Sequence, residues 1–196
     1  MKLLACIFVI CCFCASHNAQ VPNESKCQLQ ELAINAALGD AEAQYDLGVE
    51  FHRGVNLTQD YNRAAAMWRL AGNGGIVAAF NNLGHLTYYG RGVKQDYAEG
   101  VRLWRIAAEK GLAESQVHLG TAYMDGRYLK RDYVEAYAWA KAGQHFAPQN
   151  ADAELAKGII EMAEKRLADA RANLSATQVA EAEKRAAEYI AKYGPK

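Results

Sequence analysis

Apolar residues recur along this chain at spacings of three and four, and the pattern is interrupted at regular intervals by glycine and aspartate. In AAFNNLGHLTYY, Ala79, Leu83 and Leu86 fall on one face of a helix, here called helix A. Gly90 follows where such a helix stops, because a glycine just past the last turn accepts the left-handed conformation that closes off its carbonyls. Asp96 then opens DYAEGVRLWRIAAEKG as an N-cap. Glu99 stands three positions on to complete a capping box, and Val101, Trp104 and Ala108 line one face of a helix B. Asp132 and Glu135 repeat the box, whereas Asp60 is followed by Arg63 and lacks the reciprocal half.

This two-helix unit recurs. Shifting the chain by 36 residues aligns Gly39, Gly75 and Gly111, then Leu47, Leu83 and Leu119, then Gly48, Gly84 and Gly120. The register continues through Gly54, Gly90 and Gly126, through Asp60, Asp96 and Asp132, and through Tyr61, Tyr97 and Tyr133. Trp68 aligns with Trp104 and Ala71 with Ala107. A fixed period of this length is the signature of a stacked repeat array. The expected organisation is an array of antiparallel helix pairs, with repeats at 39–74, 75–110 and 111–146.

Gly48, Gly84 and Gly120 lie inside helix A, where glycine costs about 1 kcal/mol relative to alanine. Close approach of helix B offsets that cost, with Trp68 or Trp104 filling the groove between neighbouring repeats. The segment YGRGV, with two glycines and Arg91, has the composition of a phosphate-cradling loop. It is expected instead to join helix A to helix B, because no strand precedes it and the same frame recurs without the basic residues.

The flanks read as caps. Residues 27–38 keep the helix B phase, with Leu32 in the tryptophan column. Beyond the third repeat, residues 147–196 supply a long amphipathic helix and a last helix from Ser175, where Gln178 completes another capping box. At the start, Lys2 precedes an apolar run from Leu3 to Ala15 and then small and polar residues, the order of a secretory signal peptide over residues 1–19, with cleavage after Ser16 or Ala19. That run is too short to span a bilayer, so no stable membrane insertion is expected once the leader is removed. LLAC at residues 3–6 mimics a lipoprotein box but opens the apolar run instead of following it. Export would leave Cys27 as the one cysteine, so neither an internal disulfide nor a cysteine metal site is expected.

These columns resemble the Sel-one-like repeat, a relative of the tetratricopeptide repeat with a longer loop between its helices. AFNNLGHLTYYGRGVKQDYAEGVRLWRIAAEKG follows the family pattern nearly throughout, with Thr87 in an aromatic position and Gly100 in an alanine position. In the first copy Phe51 restores the aromatic and Asn56 replaces the second loop glycine. The third copy departs most: Tyr128 takes that glycine position, Ala140 stands in the tryptophan column and Trp139 comes one residue early. The resemblance implies an all-α fold, a right-handed α-solenoid of antiparallel helix pairs, with adaptor and assembly roles through protein binding.

Charge and motifs narrow the function. Twenty-two basic residues balance 22 acidic ones, so a basic nucleic-acid footprint is absent and no nucleic acid is expected as a partner. There is no G-x-S-x-G, S-x-x-K or H-E-x-x-H. His118 and His145 lack an evident partner; His52 and His85 can face each other across adjacent A helices, but a metal needs a third ligand. No metal or other cofactor is expected. Sequons at Asn23, Asn56 and Asn173 matter only in a glycosylating host.

Two functions remain: a noncatalytic interaction scaffold of the cell envelope or exterior, binding a peptide or helix in its concave groove, and an exported β-lactamase-like cell-wall hydrolase. Exported relatives described as β-lactam-hydrolysing carry paired cysteines in each repeat, which this chain lacks. For the scaffold, the helix A positions left facing the groove are Tyr45, Val49, His52 and Arg53, then Asn81, His85, Tyr88 and Tyr89, then Val117, Thr121, Met124 and Asp125. That set has the tyrosine and arginine content of contact surfaces, with Tyr88 and Tyr89 as anchors and Arg53 selecting an acidic group. The alternative for the two tyrosines is packing on the long C-terminal helix.

Overall fold

The computed structural model describes residues 24–150 and 152–194. The residues read as a leader lie outside these. The described residues form α1 (Glu24–Ala37), α2 (Ala41–Arg53), α3 (Tyr61–Asn73), α4 (Val77–Tyr89), α5 (Tyr97–Glu109), α6 (Ala113–Asp125), α7 (Tyr133–Asn150), α8 (Ala153–Arg171) and α9 (Ala176–Lys192), with no strand among them. Helices A are α2, α4 and α6; helices B are α3, α5 and α7. Each A helix packs on the B helix that follows it, and each B helix on the next A helix. The result is an α-solenoid. At one end α1 packs on α2; at the other α8 packs on α7 and α6, and α9 on α7.

Local chemistry explains the helix ends. Asp60 and Asp96 have extended backbones and accept from the amides of Arg63 and Glu99, as N-caps should. The reciprocal half of the expected boxes does not form. Glu99 pairs with Arg102 at 2.6 and 2.7 Å, and Glu135 with Arg185 at 2.7 Å and the Tyr189 hydroxyl at 2.8 Å. A carboxylate with a guanidinium in reach gains a charge-assisted bond stronger than one to a neutral amide. The box at Ser175 closes: Gln178, a neutral amide, accepts from Ser175 N at 2.9 Å, and Gln178 N donates to Ser175 Oγ at 3.3 Å.

The glycines inside the A helices sit against helix B as expected. A Cβ on Gly48 would lie 2.5 Å from Trp68 Nε1, and one on Gly84 2.8 Å from Trp104 Cδ1. Both tryptophans are buried, and each donates its Nε1–H to an A-helix carbonyl at 3.2 Å, Tyr45 for Trp68 and Asn81 for Trp104. The indoles also reach the next repeat, where Trp104 stacks on His118 with centroids 4.7 Å apart.

The third repeat solves the same contact differently. A Cβ on Gly120 would meet the Ala136 carbonyl oxygen at 2.8 Å, so here backbone approaches backbone. Trp139, about 100° around the helix from the tryptophan column, turns to the C-terminal segment and packs on Tyr189 and Tyr193 at 4.4 and 5.4 Å.

YGRGV is the A-to-B connection. Gly90 closes α4 at φ 69° and bonds back to the Leu86 carbonyl. Gly92, at φ 68°, lies so close to Tyr61 of the preceding repeat that a Cβ there would clash with it. Both glycines therefore serve backbone geometry. Val93 packs on the core beneath.

Candidate functional site: a concave cleft over the first two repeats

Where α2, α4 and α6 run side by side they enclose a cleft of about 380 Å³. Of the twelve helix A positions read as facing the groove, Tyr45, Val49, His52, Arg53, Asn81 and His85 line this cleft. Asn81 forms its buried floor. It donates to Glu114 Oε2 at 2.8 Å and accepts from Ser115 Oγ at 2.7 Å, so it positions neighbours and has little free surface. Tyr45 holds Asn82 through its hydroxyl at 3.4 Å.

The remaining candidates depart from an open groove. Tyr88 is 1% exposed, with its ring against Tyr97 and Trp104 and its hydroxyl donated to Asp125 Oδ2 at 3.1 Å. Gly100 opposite it exists for that reason, since a Cβ there would lie 2.7 Å from Tyr88 Cβ. Burial, then the Asp125 charge, pushes the phenol well above its ordinary range. Tyr88 is therefore core, held chiefly by α5 and α6, and unavailable as an anchor. Tyr89 remains 45% exposed, beside His85 at 4.8 Å.

In the third repeat the C-terminal helices occupy the groove. Val117 is fully buried with Phe146, Ile159 and Ala163. Thr121 accepts from Arg166 Nε of α8 at 2.8 Å. Met124 packs on the cluster of Tyr137, Ala170 and Ala182, and Asp125 is engaged by Tyr88. The C-terminal helices thus take up Val117, Thr121 and Met124, while Asp125 is held by Tyr88; the cleft ends at Leu155.

The structure also places residues in the cleft that sequence reasoning missed: Trp68, Asn82, Arg91, Glu114 and His118. His118 does have partners. Its Nε2 lies 3.7 Å from Glu114 Oε1, its ring stacks on Trp104, and His85 is 5.9 Å away. His85 therefore meets His118 and not His52, whose ring sits on Tyr61 and Trp68 at 5.3 and 5.4 Å. The usable signal was the spacing of His85 and His118, three short of the repeat period and so about one helical turn apart on the same face.

Burial, followed by the charges of His118 and Arg91, lowers His85 to about 4. Burial, then Arg91 and Arg53, also lowers His52. Glu114 is raised by burial, yet its bonds and charge contacts with His118, His85 and Asn81 leave it net below the usual carboxylate range. Near neutral pH His52 and His85 are thus neutral, between a basic and an acidic rim. Among the described residues no three metal-ligating side chains converge, and no helix is long and apolar enough to cross a membrane.

The fold is a helix-pair solenoid, with a cleft lined by residues of all three A helices. Sel1 repeats match residues 41–76, 78–112 and 113–143, and the chain belongs to this family. Among solved structures, it is similar to a protective antigen present in uropathogenic Escherichia coli strains and displaying an SLR fold (30% identity, TM-score 0.73, 92% of this chain covered). The chain spans 36% of that protein's length. It is also similar to a Sel1 repeat protein from Oxalobacter formigenes, at 31% identity and TM-score 0.55, over 72% of this chain and 98% of that one. No curated protein matches. Sel1 repeat proteins are generally protein-interaction scaffolds, and the fold is typically non-catalytic.

Proposed function

We propose that this chain is a noncatalytic protein-interaction scaffold of the cell envelope or exterior, and that it holds an extended peptide or a partner helix in the cleft over its first two repeats. The observation that carries this reading is the difference in cover: α8 and α9 close the groove of the third repeat, while the same face of the first two stays open. The exported location rests on the leader-like residues 1–19.

The hydrolase alternative finds little support in the cleft. His118 and Glu114 make a base-and-carboxylate pair, but a hydroxyl nucleophile would have to reach them. Ser115 is fully buried and gives its proton to Asn81. A photo-crosslinking residue at Val49 should capture protein from native envelope or secreted fractions, while the same residue at Arg102, on the exposed face of α5, should not. Equal capture at both positions would remove the cleft from the reading. Nitrocefin turnover abolished by His118→Ala would favour the hydrolase.

A further inference from the structure

The two rims of the cleft differ in whether the protein itself neutralises them. Glu114, in the first turn of α6, already holds Asn81 at 2.8 Å and faces His118 at 3.7 Å. At the opposite rim, His52 and Arg53 end α2, and Arg91 follows α4. Arg91 lies over the Tyr61 ring at 5.4 Å, and the His52 ring, next to Arg53 in sequence, packs on the same tyrosine at 5.3 Å.

No carboxylate pairs with Arg53 or Arg91 among the described residues, whereas Arg63, Arg102, Arg166 and Arg185 each have an acidic partner. Arg53 and Arg91 line the same cleft, and each guanidinium adds to the positive charge that an incoming group meets there. An arriving carboxylate supplies the missing counter-charge and gains bidentate, charge-assisted bonds. Val49, Tyr45 and Leu155 add apolar surface to the same cleft, which a small inorganic anion would leave unused.

We propose that the Arg53–Arg91 rim reads the carboxylate of an acidic side chain in an extended peptide, whose apolar neighbours lie along Tyr45, Val49 and Leu155. This rests on the protein-binding reading of the same cleft. The commitment is to an acidic–apolar peptide segment, recognised by charge at one rim and by contact along the floor.

A phage-displayed random heptapeptide library selected on the full chain at low salt tests it. The selected pool should be enriched at least twofold in aspartate and glutamate over the input. The Arg53→Gln/Arg91→Gln variant, with unchanged helicity, should lose that enrichment. A synthetic selected peptide should bind at least tenfold more weakly when its acidic residues become their amides. Arg53→Gln alone, at an exposed side chain without an internal partner, serves if the double variant does not fold. A pool enriched without acidic residues, or acidic enrichment unaffected by the arginine changes, would overturn acidic recognition while leaving the scaffold reading in place. A library from which nothing is enriched would overturn both.

Discussion

The second and third repeats share a frame but bury their tryptophans in different directions, and the open and closed halves of the groove go with that difference. In the second repeat Trp104 turns toward Gly84, bonds the Asn81 carbonyl and supports His118 at the cleft. In the third, the smaller Ala140 takes the column and Trp139 faces Tyr189 and Tyr193 at the C-terminal end. One position along a helix therefore decides whether the large side chain props up the cleft or fastens the cap. Repetition builds the solenoid, and departure from repetition ends it.

The largest expected effect compares these two side chains. Trp104→Ala should cost about 3–5 kcal/mol, as for other fully buried aromatics, and should lower the urea midpoint of the whole chain. Trp139→Ala removes a similar volume, but Trp139 Nε1 finds no hydrogen-bond partner among the described residues, so one buried polar group goes with it. Its cost should be smaller by about 1–3 kcal/mol. Hydrogen exchange should show loosening confined to α9 and its contacts. Uniform loosening in both variants would erase the distinction between propping and fastening.

Gly84→Leu comes next. The side chain would drive into Trp104 and the Gly100 carbonyl, for a loss of about 1–3 kcal/mol or more in the thermal or urea midpoint. Gly158, whose Cβ position meets nothing within 4 Å, is the matched control in α8. Gly158→Ala should be neutral or slightly stabilising, by up to about 1 kcal/mol. Equal losses at both positions would mean that helix propensity, and not the A–B contact, governs these glycines.

Much of this organisation was legible in the sequence, for a physical reason. Repeat period, N-capping aspartates, loop glycines and the helix-crossing glycines are set by local backbone geometry and nearest-neighbour packing, both of which recur every 36 residues. The groove was legible only in part. Tyr88 and Tyr89 are adjacent in sequence, yet one is core and the other surface, because Gly100 opens room for the first on the neighbouring helix. Cover by α8 depends on contacts between distant segments, such as Arg166 with Thr121, that no repeat column encodes. The same holds for Glu135, whose expected cap role yields to Arg185 and Tyr189 on α9.

Acid should separate the two halves as well. The histidines with depressed pKa values, His52 and His85, belong to the open side, while His145 in the third repeat is exposed. An unfolded histidine takes up its proton near 6.5, whereas folded His85 resists until about 4. Between these values the unfolded state binds the proton first, so the contribution is complete above 6.5 and is lost as pH falls toward 4. The ring is only part-buried, and solvent screening reduces the effect to about 1 kcal/mol. His85→Gln should flatten the urea midpoint against pH across this window. A slope unchanged from the parent chain would assign the acid response elsewhere.

The smallest expected effect on stability is at the loop arginine of the cleft. Arg91 is exposed, and its side-chain contact with the protein is the Tyr61 ring at 5.4 Å, worth about 0.5 kcal/mol at such a site. Removing it also lifts part of the charge that depresses His52 and His85. These contributions oppose one another. Arg91→Ala should therefore leave the thermal midpoint within about 1 °C, a shift of a few tenths of a kcal/mol for a chain of this size. The equivalent change at Arg127, which lies over Tyr97 at the same 5.4 Å but donates to its hydroxyl at 3.3 Å, should cost slightly more. A larger loss at Arg91 than at Arg127 would mean that this arginine holds the first two repeats together, and would weaken its assignment as a group left free for a partner.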